Sequence, residues 1–188
     1  MKKIAIVSNN PKQPNMSEFV DGCDEVIRFS RCATYGENTG SKITTWVTRS
    51  LCHHTECTFG VYKSEMSQPI SCASKAYIVH GFPEYNAYGQ IIGQEIVKYD
   101  TQPVSQLRPL DGIECIPINA RGVTLLHPGY NPTLGFMFLW NILANQWFVD
   151  DKIYLVGFDF VGIDAPHKAD WEQRHVQEWV KRDWFQRI

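Results

Sequence analysis

Residues 167–172 read His-Lys-Ala-Asp-Trp-Glu, directly after a proline and ahead of a tryptophan-bearing tail. A histidine, an aspartate and a glutamate this close can ligate a metal, start a helix or place a general base. On a helix, His167 and Glu172 stand five positions apart and so about 140° out of phase. That spacing argues against one metal shared from a single face, and the i, i+4 histidine pair of metalloprotease helices is missing. A helix opening at Asp170 explains more, with Asp170 as N-cap and Gln173 as its reciprocal partner. His167 then stands in the loop ahead of a positive helix end, which disfavours the imidazolium and leaves the neutral ring a general base requires. A plain surface histidine in a loop is the competing reading.

Other stretches carry groups of the right type. Asn9 and Asn10, in SNNP (8–11), follow an apolar run. They either shape a tight turn or offer amide donors to a phosphate at the mouth of a sheet. NPTLGF (131–136) reads as a helix start, with Asn131 as N-cap and Pro132 in the first helical position. The N–H groups of Thr133, Leu134 and Gly135 would then face outward as a cradle for an anion, a feature shared by every helix start. His80 and His127 fall where they can line the same mouth, whereas His175 lies inside the last helix and reads as a packing or surface residue. CHHTEC (52–57) lacks a second ligand pair at zinc spacing and reads as a loop. Neither a glycine-rich dinucleotide fingerprint nor a P-loop lysine follows the first apolar run, so nicotinamide cofactors and ATP lose ground.

These residues need a scaffold. With 188 residues, 44% hydrophobic and 20% charged, the chain suits a single domain spanning 1–188 with its own core. A net charge of -2 leaves no basic footprint for nucleic acid. MKKIAIVSNNPK has only four apolar residues after its lysines, too few for a signal peptide, and no later stretch is apolar enough to span a bilayer. A cytoplasmic protein is expected, with peripheral attachment to the inner membrane left open. The six cysteines then read mostly as small buried hydrophobes.

Short apolar runs recur at 4–7, 25–29, 42–48, 76–79, 113–118 and 153–160. They are continuous rather than alternating, as in strands of a parallel sheet buried on both faces. Helix-like stretches lie between them at 133–146 and 170–186, with a weaker one near 88–98. Trp171, Val176, Trp179, Val180 and Trp184 form an apolar stripe expected to pack against the sheet. The pattern is α/β, with ligands expected at the carboxyl ends of the strands.

Taken in order, three segments resemble the sialyltransferases. IAIVSNNP…CDEVIRFSRCATYGENTGSKITTW resembles their long N-terminal motif. NPTLGF followed by a helix and IYLVGFDF resembles their short motif and the strand after it. HKADWE is similar to their very short motif, a histidine and a glutamate separated by four residues. The resemblance covers roughly 1–50 and 127–180.

It implies a Rossmann-like single-domain variant of the GT-A fold. It also implies a CMP-activated sugar, usually CMP-N-acetylneuraminate, as donor, with inversion at the anomeric carbon and a glycan or glycolipid hydroxyl as acceptor. On the same ground His167 would be the base that takes the acceptor proton, and Asn9 would contact the nucleotide phosphate. Thr133 and Gly135 would lie in the loop that holds CMP, and Gly157, Phe158 and Asp159 near the nucleoside. The chain has no Asp-x-Asp triplet, which suits a transferase working without metal; no cofactor is expected, the CMP-sugar being a co-substrate. The chain departs from the family pattern at three positions. Ser30 replaces an asparagine, Leu134 a serine or threonine, and Val161 a tyrosine of bacterial members. The rival readings are a transferase for another CMP-sugar such as a Kdo-like acid, and a nucleotide- or glycan-binding module that has lost turnover.

Overall fold

A strand turns successive side chains to opposite faces, so a run that is apolar throughout needs cover on both sides. The computed structural model describes residues 1–10, 12–30, 32–49, 72–80, 83–85, 91–94, 113–119, 132–159 and 169–188. Its strands are β1 (Lys3–Val7), β2 (Glu25–Phe29), β3 (Thr45–Arg49), β4 (Lys75–His80), β5 (Pro83–Tyr85), β6 (Ile91–Gln94), β7 (Glu114–Asn119), β8 (Lys152–Val156) and β9 (Gln186–Arg187). The described helices are α1 (Ser17–Asp21), α2 (Leu134–Ala144) and α3 (Ala169–Lys181).

Seven strands form one sheet in the order β7-β4-β3-β2-β1-β8-β9, with every neighbouring pair parallel. β5 and β6 make a separate antiparallel pair. From β1 the chain steps outward through β2, β3, β4 and β7. It then returns past its starting point to lay β8 on the other side of β1, in register Ile4 to Ile153 and Ile6 to Leu155. The expected α/β architecture, a parallel sheet flanked by helices, is the observed one.

β1 sends Ile4 and Ile6 to one face and Ala5 and Val7 to the other, and all four are buried. On the first face lies α2, whose four consecutive residues Phe136, Met137, Phe138 and Leu139 are all fully buried. Four in a row circle the whole helix, so α2 is enclosed rather than amphipathic. α3 helps to enclose it: Trp179 stacks on Phe136 with ring centroids 5.2 Å apart, and Trp140 meets Trp179 at 6.1 Å. Each such side chain taken from water stabilises the fold by roughly 1.5–3 kcal/mol. The second face is covered by α1, with Val20 and Phe19 packed among Ala5, Val7 and Val156.

Several sequence expectations shift. The weak helix near 88–98 contains strand β6, whose β-branched isoleucines suit an extended backbone that pairs with β5. The run at 153–160 stops being strand at Val156, because Gly157 turns to φ +80°. The last helix ends at Lys181, not 186; Asp183 takes φ +57° and the chain enters β9. Trp184 therefore leaves the stripe and is 47% exposed, while Val176 and Trp179 are buried. Cys23 and Cys32 are buried as expected, but Cys72 is exposed. CHHTEC and His127 lie outside the described residues. Among the described residues no helix is long and apolar enough to cross a membrane.

Among the described residues two charged side chains are buried, Arg28 and Glu172. Arg28 on β2 is 1% exposed and has lost its hydration. It regains partners from the loop ahead of β3: Nε donates to Lys42 O at 2.9 Å, Nη1 to Thr39 Oγ1 at 2.9 Å, and Nη2 to Thr39 O and Gly40 O at 2.6 and 2.9 Å. Burial lowers its pKa, with Cys32 and Asp21 pulling the other way. The guanidinium is the pin around which residues 39–42 fold. Arg28→Met keeps the bulk and leaves those acceptors unbonded. Urea denaturation should show a loss of about 3 kcal/mol or more, as a lower midpoint at unchanged slope.

Candidate functional site

In an open parallel sheet, ligands sit outside the carboxyl ends of the strands where the strand order reverses. Here the reversal falls beside β1, between its neighbours β2 and β8. The residues that leave β1 and β8 at that end knit together. Ser8 Oγ donates to Gly157 O at 2.5 Å and accepts from Asn10 N at 3.3 Å. Asn10 Nδ2 donates to Asp159 Oδ2 at 2.5 Å, and Asn10 Oδ1 accepts from Lys12 N at 3.0 Å. Gly157 is required here twice over. Its φ of +80° suits only glycine without strain, and a Cβ would stand 2.5 Å from Ser8 Oγ.

On the β2 side, Asn9 ties two strand ends together: Nδ2 donates to Phe29 O at 3.1 Å and Oδ1 accepts from Ala33 N at 2.9 Å. Ser30 and Cys32 follow β2 with φ of +42° and +50°, a conformation that side chains other than Gly and Asn avoid. The turn is held by Ser30 N donating to Val47 O at 2.8 Å and by Trp46 Nε1 donating to Ser30 O at 2.9 Å. Strain retained at the mouth of a crevice is a frequent companion of function. Burial pushes the Cys32 thiol up to about 12, so it is a packed hydrophobe and not a nucleophile at neutral pH.

α2 begins at the same mouth, and its start differs from the sequence expectation. The cap is Thr133, not Asn131, which lies outside the described residues; Pro132 precedes the cap instead of opening the helix. The Thr133 hydroxyl accepts from Phe136 N at 3.2 Å, a reach that places the first turn one step later. The anion cradle already holds an anion. Glu172, 0% exposed, accepts from Thr133 N through Oε1 and from Thr133 Oγ1 through Oε2, both at 2.6 Å. Short charge-assisted bonds at a positive helix end offset the desolvation of a buried carboxylate. The N–H groups of Leu134 and Gly135, in the first turn, have no intrahelical acceptor. Gly135 lets α2 approach β8: a Cβ there would come 3.1 Å from the Phe158 ring, which meets Phe29 edge-on at 6.0 Å.

Thus Asn9, Asn10, Ser30, Gly157, Phe158 and Asp159 gather at one end of β1, β2 and β8, and Phe158 links them to Gly135 in the first turn of α2, the helix that Thr133 caps. His167 lies outside the described residues; α3 begins two positions after it, at Ala169. Asp170 is the second residue of that helix and not its cap, a carboxylate in the first turn as the helix dipole favours. His80 ends β4 as expected. His175 packs against Trp171, with ring centroids 4.0 Å apart and Nδ1 2.9 Å from Trp171 O. Sequence reasoning missed the role of Glu172, although its place in HKADWE was the available signal. It also missed Gln13, whose side chain lies against Gly157. Among the described residues no three His, Cys, Asp or Glu side chains gather as metal ligands.

Comparison with known proteins gives the fold its relatives. The whole chain superposes on 68% of a mammalian sialyltransferase with TM-score 0.56 and 16% identity. It superposes on 69% of a mammalian sialyltransferase in complex with Gal-beta-1-3GalNAc-ortho-nitrophenol with TM-score 0.52 and 15% identity. The sialyltransferase CstII from Campylobacter jejuni in complex with CMP-3FNeuAc aligns over 81% of its length with TM-score 0.50 and 14% identity. No family model and no curated protein sequence matches the chain. The fold is therefore the one these sialyltransferases share.

Two substitutions test this architecture by urea denaturation. Glu172→Gln keeps the shape but loses one acceptor and the charge facing the α2 start, and should cost about 2–3 kcal/mol. Ser30→Asn places at φ +42° a residue that tolerates that backbone, and should be neutral or stabilising by up to about 1 kcal/mol.

Proposed function

We propose that the chain is a glycosyltransferase that moves a sialic acid or related nonulosonic acid from a CMP-sugar to a glycan or glycolipid hydroxyl. The observation that carries this reading is the crevice itself. The polar residues of two motifs far apart in sequence, 8–10 with 30 and 133–135 with 157–159, lie around the strand-order reversal of a sheet shared with sialyltransferases. Two of those relatives are named in complex with a galactoside and with CMP-3FNeuAc, which supports an acceptor and a CMP-sugar donor for this chain.

The chemistry asked of the site is a single displacement with inversion. The acceptor oxygen attacks the anomeric carbon as CMP departs, and negative charge grows on the leaving phosphate. The first-turn N–H groups of Leu134 and Gly135, which have no intrahelical acceptor, can stabilise that charge at a positive helix end without reorganising. In this reading His167 accepts the acceptor proton. Glu172 serves it indirectly, by fastening the first turn of α3, just after the histidine, to the start of α2. Donor contacts fall to Asn9, Asn10, Ser30, Thr133, Gly135, Gly157, Phe158 and Asp159 as the surroundings of the CMP. Because backbone amides receive the leaving group, the reaction should proceed without metal.

Release of CMP from CMP-N-acetylneuraminate, with and without EDTA, tests the proposal. Turnover should survive the chelator and fall about a hundredfold or more in His167→Ala. CMP binding without turnover on any acceptor would identify a binding module instead. Faster turnover with a Kdo-type CMP-sugar would reassign the donor.

A further inference from the structure

α2 and α3 both run out at the end of the sheet away from the crevice, and they end in the same way. Past α2, Gln146 N donates to Leu143 O at 3.3 Å and Trp147 N to Ile142 O at 2.9 Å. Past α3, Asp183 N donates to Val180 O at 3.1 Å and Trp184 N to Trp179 O at 3.2 Å. Each pair of bonds is that of a Schellman cap, whose left-handed position glycine normally fills. Here Gln146 and Asp183 fill it, at φ of +54° and +57°. Each cap then delivers a tryptophan, Trp147 and Trp184, to the wall of one cavity of about 410 Å³. Phe148, a bulky residue at φ +61°, and Phe185 complete its aromatic lining. The volume is within the range of small-molecule sites. α2 spans 11 residues, so about 16 Å of helix separates this cavity from the Thr133 end.

The charges that line this cavity have one sign. Asp151 and Asp183 are among its walls, and among the described residues no lysine or arginine is. Two helix C-termini add their negative ends. The last turn of α2 carries no basic residue, and Lys181 of α3 is engaged by Glu178 at 2.8 Å. Cations stand nearby but outside the lining. Lys2 and Lys152 are exposed beside Asp151, which accepts the Lys2 backbone N–H at 2.7 Å, and Arg182 lies 5.6 Å over the Trp184 ring. Among the described residues neither Asp151 nor Asp183 forms an ion pair. We propose that the cavity binds a small organic cation, a quaternary or protonated amine. Aromatic faces attract such a charge and pack against its alkyl groups, and the carboxylates and helix ends add attraction of the same sign. The same groups repel a nucleotide or an acidic sugar, so this site is separate from the donor crevice in chemistry as well as in place.

Calorimetric titration of the full chain with choline and with its neutral isostere, in which carbon replaces the quaternary nitrogen, tests the site. Choline should bind about fivefold more tightly than the isostere, or better. Trp184→Ala and Asp183→Asn should each weaken choline by about threefold or more. Asparagine suits the left-handed cap position, so Asp183→Asn should fold with an unchanged melting temperature and keeps the test open if Trp184→Ala does not. Affinity for choline that is unchanged in Asp183→Asn and in a folded Trp184→Ala would overturn the proposal. So would equal affinity for the isostere, which makes the cavity an apolar slot, or the absence of saturable choline binding to the wild-type chain. Phosphatidylcholine vesicles divide the two sources of such a group, either result upholding the cation site: retention of the chain on them assigns a lipid headgroup, and choline binding without retention a free amine.

Discussion

A carboxylate with no exposed surface survives only where donors replace the water it has lost, and Glu172 finds them at the first residue ahead of α2. The consequences run through the molecule. The bond fixes how α3 lies on α2, and the aromatic contacts of Phe136, Trp140, Trp171 and Trp179 close around that choice. It also meets the α2 start at Thr133, whose first turn holds two N–H groups without an intrahelical acceptor. A stability device and a candidate anion site thus share one helix end.

The second constraint is the reversal of strand order beside β1. A sheet of parallel strands buried on both faces hides its apolar runs and leaves its strand ends as the place where polar groups can meet. The bonds Ser8–Gly157 and Asn10–Asp159 each join residues 149 apart in sequence. On the other flank, Arg28 organises residues 39–42 beneath the strained turn at Ser30 and Cys32. Most groups that look free for binding in the sequence prove to be structural partners.

Much of the fold was legible because it rests on periodicity. The continuous runs at 4–7 and 25–29 appear as β1 and β2 with the same or nearly the same bounds, since every position in them except the half-buried Glu25 is buried on one face or the other. The stretch at 133–146 appears as α2 at 134–144 for a similar reason. Element ends were less legible. Gly157, Asp183 and Thr133 act through backbone angles and caps that composition does not specify. The strand β6 escaped because a four-residue segment has no period of its own and is defined by its pairing with β5.

For the site, the sequence by itself determined which residue types are present and that 8–10, 133–135 and 157–159 follow or precede regular elements. Residue order and hydropathy along one element are local properties, and a linear chain displays them. Tertiary structure alone decided that these segments meet at one end of β1, that Glu172 occupies the cradle expected for a ligand, and that Asn9 and Asn10 hold the crevice together. Hydrogen-bond partners far apart in the chain are assigned by packing, and no spacing rule encodes which of several amides will be claimed from within.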